Sequence, residues 1–134
     1  MRRISSLLIF MTLTLFACYG FDRQKHTVDD VIETFSDANL VLADMDVNVR
    51  PQTNVASFLI HEPQSDDTPL AMIFVCESSQ LAERLRSEFI ETQQKSKLPP
   101  DQVYVKDNLV LSLSPDVPDG LAQKYLKVFE SIGD

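Results

Sequence analysis

Leu70-Ala71-Met72-Ile73-Phe74-Val75-Cys76 is a nearly continuous apolar run of strand length. A strand with one wet side alternates apolar and polar residues, whereas a strand covered on both sides has no need to. The run therefore predicts a central strand covered on both faces. Upstream, Val55 to His61 reads as a second strand, and Glu62 to Pro69 as a polar loop joining the two. Leu40 to Val49 alternates loosely through Leu40, Leu42, Met45, Val47 and Val49, which predicts a further extended segment before a turn at Arg50-Pro51-Gln52-Thr53-Asn54.

Downstream of Cys76, Ser78 or Ser79 is placed to cap a helix whose buried side is Leu81, Ala82, Leu85, Phe89 and Ile90. Pro99 and Pro100 end it, because proline cannot continue the hydrogen-bond ladder. Gln102 to Lys106 and Leu109 to Leu113 flank Asp107-Asn108, residue types that tolerate the positive φ of a two-residue hairpin turn. A last helix carries Leu121, Tyr125, Val128, Phe129 and Ile132 inward and stops at Gly133. A first helix starts at Thr27, which with Asp30 has capping-box spacing. Val28, Val31, Ile32 and Phe35 form its apolar stripe, and Asn39 suits its left-handed close. The order α-β-β-β-α-β-β-α predicts a single small α+β domain with three helices and a mainly antiparallel sheet of about five strands. Hairpins rather than regular β-α-β alternation imply helices gathered on one face.

Ahead of this domain stand Arg2 and Arg3, then a mostly apolar run from Ile4 to Ala17. These are the charged and hydrophobic regions of a secretory signal, here residues 1–17. A spanning helix needs ~20 apolar residues, and Asp22, Arg23 and Lys25 follow too soon. Leu15-Phe16-Ala17-Cys18 resembles the bacterial lipoprotein box, with Cys18 as the lipidation site. Leu15 and Ala17 match it; Phe16 stands where a small residue is usual, and cleavage after Gly20 with a freely secreted or periplasmic product is the alternative. A diacylglyceryl anchor supplies two buried chains, enough for stable attachment. Residues 18–26 then form a tether that reaches only ~30 Å when extended, leaving residues 27–134 as the folded domain. With Cys18 lipidated, Cys76 has no cysteine left to bridge; with Cys18 free, a Cys18–Cys76 disulfide is open to an exported chain.

Loss of residues 1–17 removes two arginines and no carboxylate, so the net charge moves from -8 to -10. Such a domain is repelled by nucleic acid and by anionic head groups. Among chemistry-bearing residues, Cys76 and His61 lie on neighbouring expected strands. In a regular hairpin closed by residues 62–69, His61 faces Leu70 and Cys76 faces Val55, about 20 Å apart along the ladder. A nucleophile and its base need ~3 Å, so Cys76 reads as a buried small hydrophobe. His61 reads as a surface or half-buried residue at the strand end and His26 as part of the tether. Two such histidines without a Cys-x-x-Cys provide no zinc ligand set. Asp29, Asp30, Glu33, Asp37, Asp44, Asp46, Asp66 and Asp67 lack the spacing and the glycine of a calcium loop, and read as solvated faces. Neither a glycine-rich phosphate loop nor a Gly-x-Ser-x-Gly turn is present, and tryptophan is absent. No catalytic, cofactor or metal residue is assigned on this reading.

The segments Tyr104-Val105-Lys106-Asp107-Asn108-Leu109-Val110-Leu111 and Pro118-Asp119-Gly120-Leu121-Ala122-Gln123-Lys124-Tyr125 give the chain its nearest likeness. It resembles the short surface lipoproteins of Bacillus and related Firmicutes, in which a lipobox cysteine precedes an α+β domain of roughly this size. The resemblance implies a localisation, the extracytoplasmic face of the cell membrane, and a style of fold. It carries no catalytic residues. The expectation is a membrane-anchored, non-enzymatic binding or accessory module acting on another extracytoplasmic protein, with residues 62–69 and the tip at Asp107-Asn108 as its exposed contacts. A small carboxylate hydrolase and a small-ligand carrier are the alternatives.

Overall fold

The computed structural model describes residues 25–44, 55–63 and 71–134. The elements follow in the expected order: helix α1 (Val28–Asp37), strands β1 (Val41–Asp44), β2 (Val55–His61) and β3 (Ala71–Cys76), helix α2 (Ser79–Lys95), strands β4 (Gln102–Lys106) and β5 (Leu109–Leu113), and helix α3 (Asp119–Ser131). The strands make one antiparallel sheet in the order β1-β2-β3-β5-β4. Because β5 is antiparallel to both neighbours, β3 and β4 run parallel with β5 between them. Helix α2 is the crossover that joins them.

That crossover corrects one expectation. Helices lie on both faces of the sheet, not one. On the first face Phe58 and Ile60 of β2, Ala71, Ile73 and Val75 of β3, and Leu109, Leu111 and Leu113 of β5 pack under Val31 and Phe35 of α1 and Tyr125 and Phe129 of α3. On the second, Phe74 and Cys76 of β3 and Val110 of β5 pack with Ala82 of α2, flanked by Leu85, Phe89, Val103 and Val105. The Phe74 and Phe89 rings sit 5.3 Å apart, tilted by 49°. The physical reason is the apolar run itself: β3 alternates Ile73 and Val75 with Phe74 and Cys76, all under 9% exposed, so each face needs its own cover.

The ends of the helices follow the local chemistry. Thr27 accepts from the Asp30 N–H at 3.2 Å while the Asp30 carboxylate accepts from the Thr27 N–H at 2.9 Å, completing the capping box. Asn39 closes α1 at φ 59, and Ser78 caps α2 by accepting from the Leu81 N–H at 3.1 Å. Helix α2 ends at Lys95, ahead of the proline pair. Two expected core residues are not core. Ile32 is 43% exposed because Val28, Val31 and Phe35 take the inner side of α1; Ile90 is 36% exposed at the margin of α2. Of the expected 40–49 strand, residues 40–44 fall within the described residues; β1 takes 41–44, and Leu40 is buried just ahead of it.

Phe35→Ala removes a fully buried ring and is expected to cost ~3–5 kcal/mol, whereas Ile32→Ala should cost well under ~1 kcal/mol. Urea unfolding of the two variants side by side checks the assignment.

Candidate functional site

The densest polar arrangement lies where the chain enters the domain, at the β4–β5 tip. Asp107 takes the left-handed conformation there (φ 53), which turns the Asn108 side chain inward, where it is 1% exposed. The Asn108 amide treats the His26 peptide as a strand would treat a partner. Its Oδ1 accepts from the His26 N–H at 2.9 Å and its Nδ2 donates to the His26 carbonyl at 2.8 Å. The same Nδ2 donates to the Cys76 carbonyl at 2.9 Å, and the Cys76 N–H donates to the Asn108 carbonyl at 2.9 Å. One side chain therefore joins the start of α1, the end of β3 and the hairpin tip.

The His26 ring, 6% exposed, sets Nε2 2.8 Å from Asp107 Oδ2, and Lys25 Nζ lies 3.4 Å from the same oxygen. Its ring packs on Gly133, where an added Cβ would come within 2.5 Å of His26 Cε1. Gly133 also sits at φ +84, so the close of α3 is shaped for this contact. Beside it, Lys106 Nζ donates to the Glu130 carbonyl and, at 2.7 Å, to the Ile132 carbonyl, placing a cation at the negative end of α3. The hydrogen bond from His26, aided by Lys25, holds the Asp107 carboxyl below the usual carboxylate range against the effect of burial. An Asp–His pair is half of a nucleophile-activating arrangement. Here the ring packs on the Gly133 backbone.

The residues singled out in the sequence lie apart. Cys76 is fully buried on the α2 side, and burial pushes its thiol up to about 11, the opposite of an activated nucleophile. Cys76 pairs with Val55, and His61 lies six residues further along β2, paired with Val41, so the two are separated as expected. His26 is a correction: 5% exposed, it belongs to the domain rather than to the tether. Asn108 is another, since the expected contact tip is an interior polar joint. Asp29, Asp30, Glu33 and Asp37 line the outer side of α1. Asp101 is raised by burial and lowered by a hydrogen bond with Ser112; no second carboxylate takes part in its shift. Among the described residues no group of three or more His, Cys, Asp or Glu is arranged to hold a metal. Cys18, the Asp44 side chain, Asp46, Asp66 and Asp67 lie outside the described residues. One signal for the joint was available. Glycine is the usual second residue of such turns, and an asparagine in its place points to work for the side chain.

A second feature is the far edge of the sheet. Among the described residues helix α2 packs over β3, β5 and β4 and leaves β1 and β2 largely without a helix on that side. Val41 and Ala43 of β1, Ser57 and Leu59 of β2, and Met72 of β3 share this open face, with Ala43 paired to Leu59 and Leu59 to Met72. Val41 is 47% exposed and the others are half-buried. No described helix is long and apolar enough to cross a membrane. No protein-family model, curated protein or solved structure matches the chain.

Asn108→Ala strands the His26 N–H and two carbonyls in the interior and is expected to cost ~3 kcal/mol or more, read by urea denaturation. The Asp107 carboxyl, depressed on folding, stabilises the domain above the ordinary aspartate value of ~3.9. That contribution is lost as pH falls through the lower folded value. The stability gap between the wild type and Asp107→Asn should therefore be constant near neutrality and shrink below about pH 4; a gap that widens on acidification rules this assignment out.

Proposed function

We propose that this chain is an exported, membrane-anchored accessory module, held by lipid on Cys18, that binds another extracytoplasmic protein. The open margin of the sheet carries this reading. The β1–β2 side offers apolar and backbone groups, while the polar joint at His26 holds a deeply buried, hydrogen-bonded structure in place of an accessible reaction centre. The signal-like run from Arg2 to Ala17 and the lipobox-like Cys18 supply the address. The joint adds a direction. His26 is bound at the hairpin tip, so the tether enters at the end of the sheet where β3 and β4 finish, while His61 and Ala71, flanking residues 62–70, lie at the opposite end. In the anchored protein the tip faces the bilayer, and the opposite end and the β1 margin face away.

Mass spectrometry of the mature N-terminus checks the anchor: a diacylated Cys18 is expected, and an unmodified N-terminus at Phe21 overturns it. Cys18→Ser should release the protein from membranes. Cross-linking on intact cells with the anchored chain should recover a partner in stoichiometric amount. Repeated failure to do so argues against the binding role.

A further inference from the structure

Resting on the binding-module reading, we propose that the outer edge of β1 receives an extended lysine- or arginine-bearing segment of the partner as a sixth strand of the sheet. Addition of a strand to a free edge satisfies backbone groups by main-chain hydrogen bonds and places alternate side chains on the two faces.

The two edges of the sheet differ in what proteins use to close an edge: charged lysine, proline, or a covering element. Strand β4 carries Lys106 and lies under α2. Strand β1 reads Val41-Leu42-Ala43-Asp44, without lysine or proline, and pairs on one side only among the described residues. Its inward residue, Leu42, joins the first core, while Val41 and Ala43 extend the open apolar face with Leu59 and Met72. A strand laid beside β1 would continue that face and bury Val41.

Charge selects the occupant. Residues 26–76 hold nine Asp and Glu against one arginine, Arg50, whereas residues 77–134 hold ten against seven Lys and Arg. Most of the net charge thus belongs to α1, β1, β2 and β3 and the segments between them. Along α1, Asp29, Glu33 and Asp37 recur every four residues, all exposed, and none forms an ion pair among the described residues. Like charges four apart on a helix repel one another, and their summed field attracts a cationic segment to this half of the domain. Pairing β1 to β1 of a second copy would instead bring two acidic halves together. A basic strand from another protein is therefore the occupant that the edge and the charge select together.

The test uses the full mature chain and two short blocked peptides as probes, one alternating lysine and valine and one alternating glutamate and valine. Backbone amide shifts and hydrogen exchange locate binding. The lysine peptide should shift and protect residues 41–44 while leaving β4 unchanged, and the glutamate peptide should not bind. Combined Glu33→Lys and Asp37→Lys substitutions should weaken the lysine peptide about tenfold, and Ala43→Pro should abolish binding while the β5 amides stay protected, showing that the variant is folded. Equal binding of both peptides, binding at β4, no binding of the lysine peptide, or protection of β1 in the absence of peptide each overturns the proposal. If cells still yield a stoichiometric cross-linked partner, the binding-module reading stands and only this edge is wrong.

Discussion

A strand that is apolar on both sides cannot rest against water on either, and β3 is such a strand. Ala71, Ile73 and Val75 turn to one face and Phe74 and Cys76 to the other, all buried. One layer of helices would leave half of these side chains wet, at ~25 cal/mol for each Å² of apolar surface. The domain therefore needs a helix on each side of its centre. The chain provides it by sending α2 across the second face between β3 and β4, and by placing α1 and α3 on the first. The parallel relation of β3 and β4, with β5 inserted between them, follows from that crossing.

Covering the centre leaves the margin short. Among the described residues the seventeen-residue α2 on the second face spans β3, β5 and β4 but does not extend over β1 and β2 to the same degree. The open strip at Val41, Ala43 and Leu59 is thus a by-product of how the sheet is ordered. Had α2 lain over β2 instead, the strip would fall beside β4 and Lys106. The position of the margin and the position of the acidic residues have one origin, because the first three strands and the first helix of the chain occupy one side of the sheet.

The sequence carried the elements and little of the joint between them. Caps at Thr27 and Ser78 and stops at Asn39 and Gly133 were legible because each is a local device, decided by residues within a turn of one another. The Val55–Cys76 pairing was legible because a short loop and period-two geometry leave one regular register. The side of the sheet taken by α2 was not read from element order, although the unbroken apolar run contained that information. His26 and Asn108 are 82 residues apart, and neither belongs to a periodic pattern, so nothing local announces their contact. Ile32 and Ile90 misled for a related reason: an apolar residue on a helix flank is buried only when another element reaches it.

The joint at Asn108 also limits what the buried groups can do. Both hydrogens of its Nδ2 are used on carbonyls and its Oδ1 is taken by an N–H, so the amide has little freedom to reorient. His26 is held by its own peptide, by Asp107 and by the Gly133 backbone at once. A ring held at three points forms part of the wall of the interior. On α1, by contrast, Asp29, Glu33 and Asp37 stand in solvent. Rigid polar chemistry thus gathers at the β4–β5 tip, and acidic charge gathers along α1 and the strands beside it. This division suits the role proposed for the chain, a module held at one end that makes its contacts at its margin.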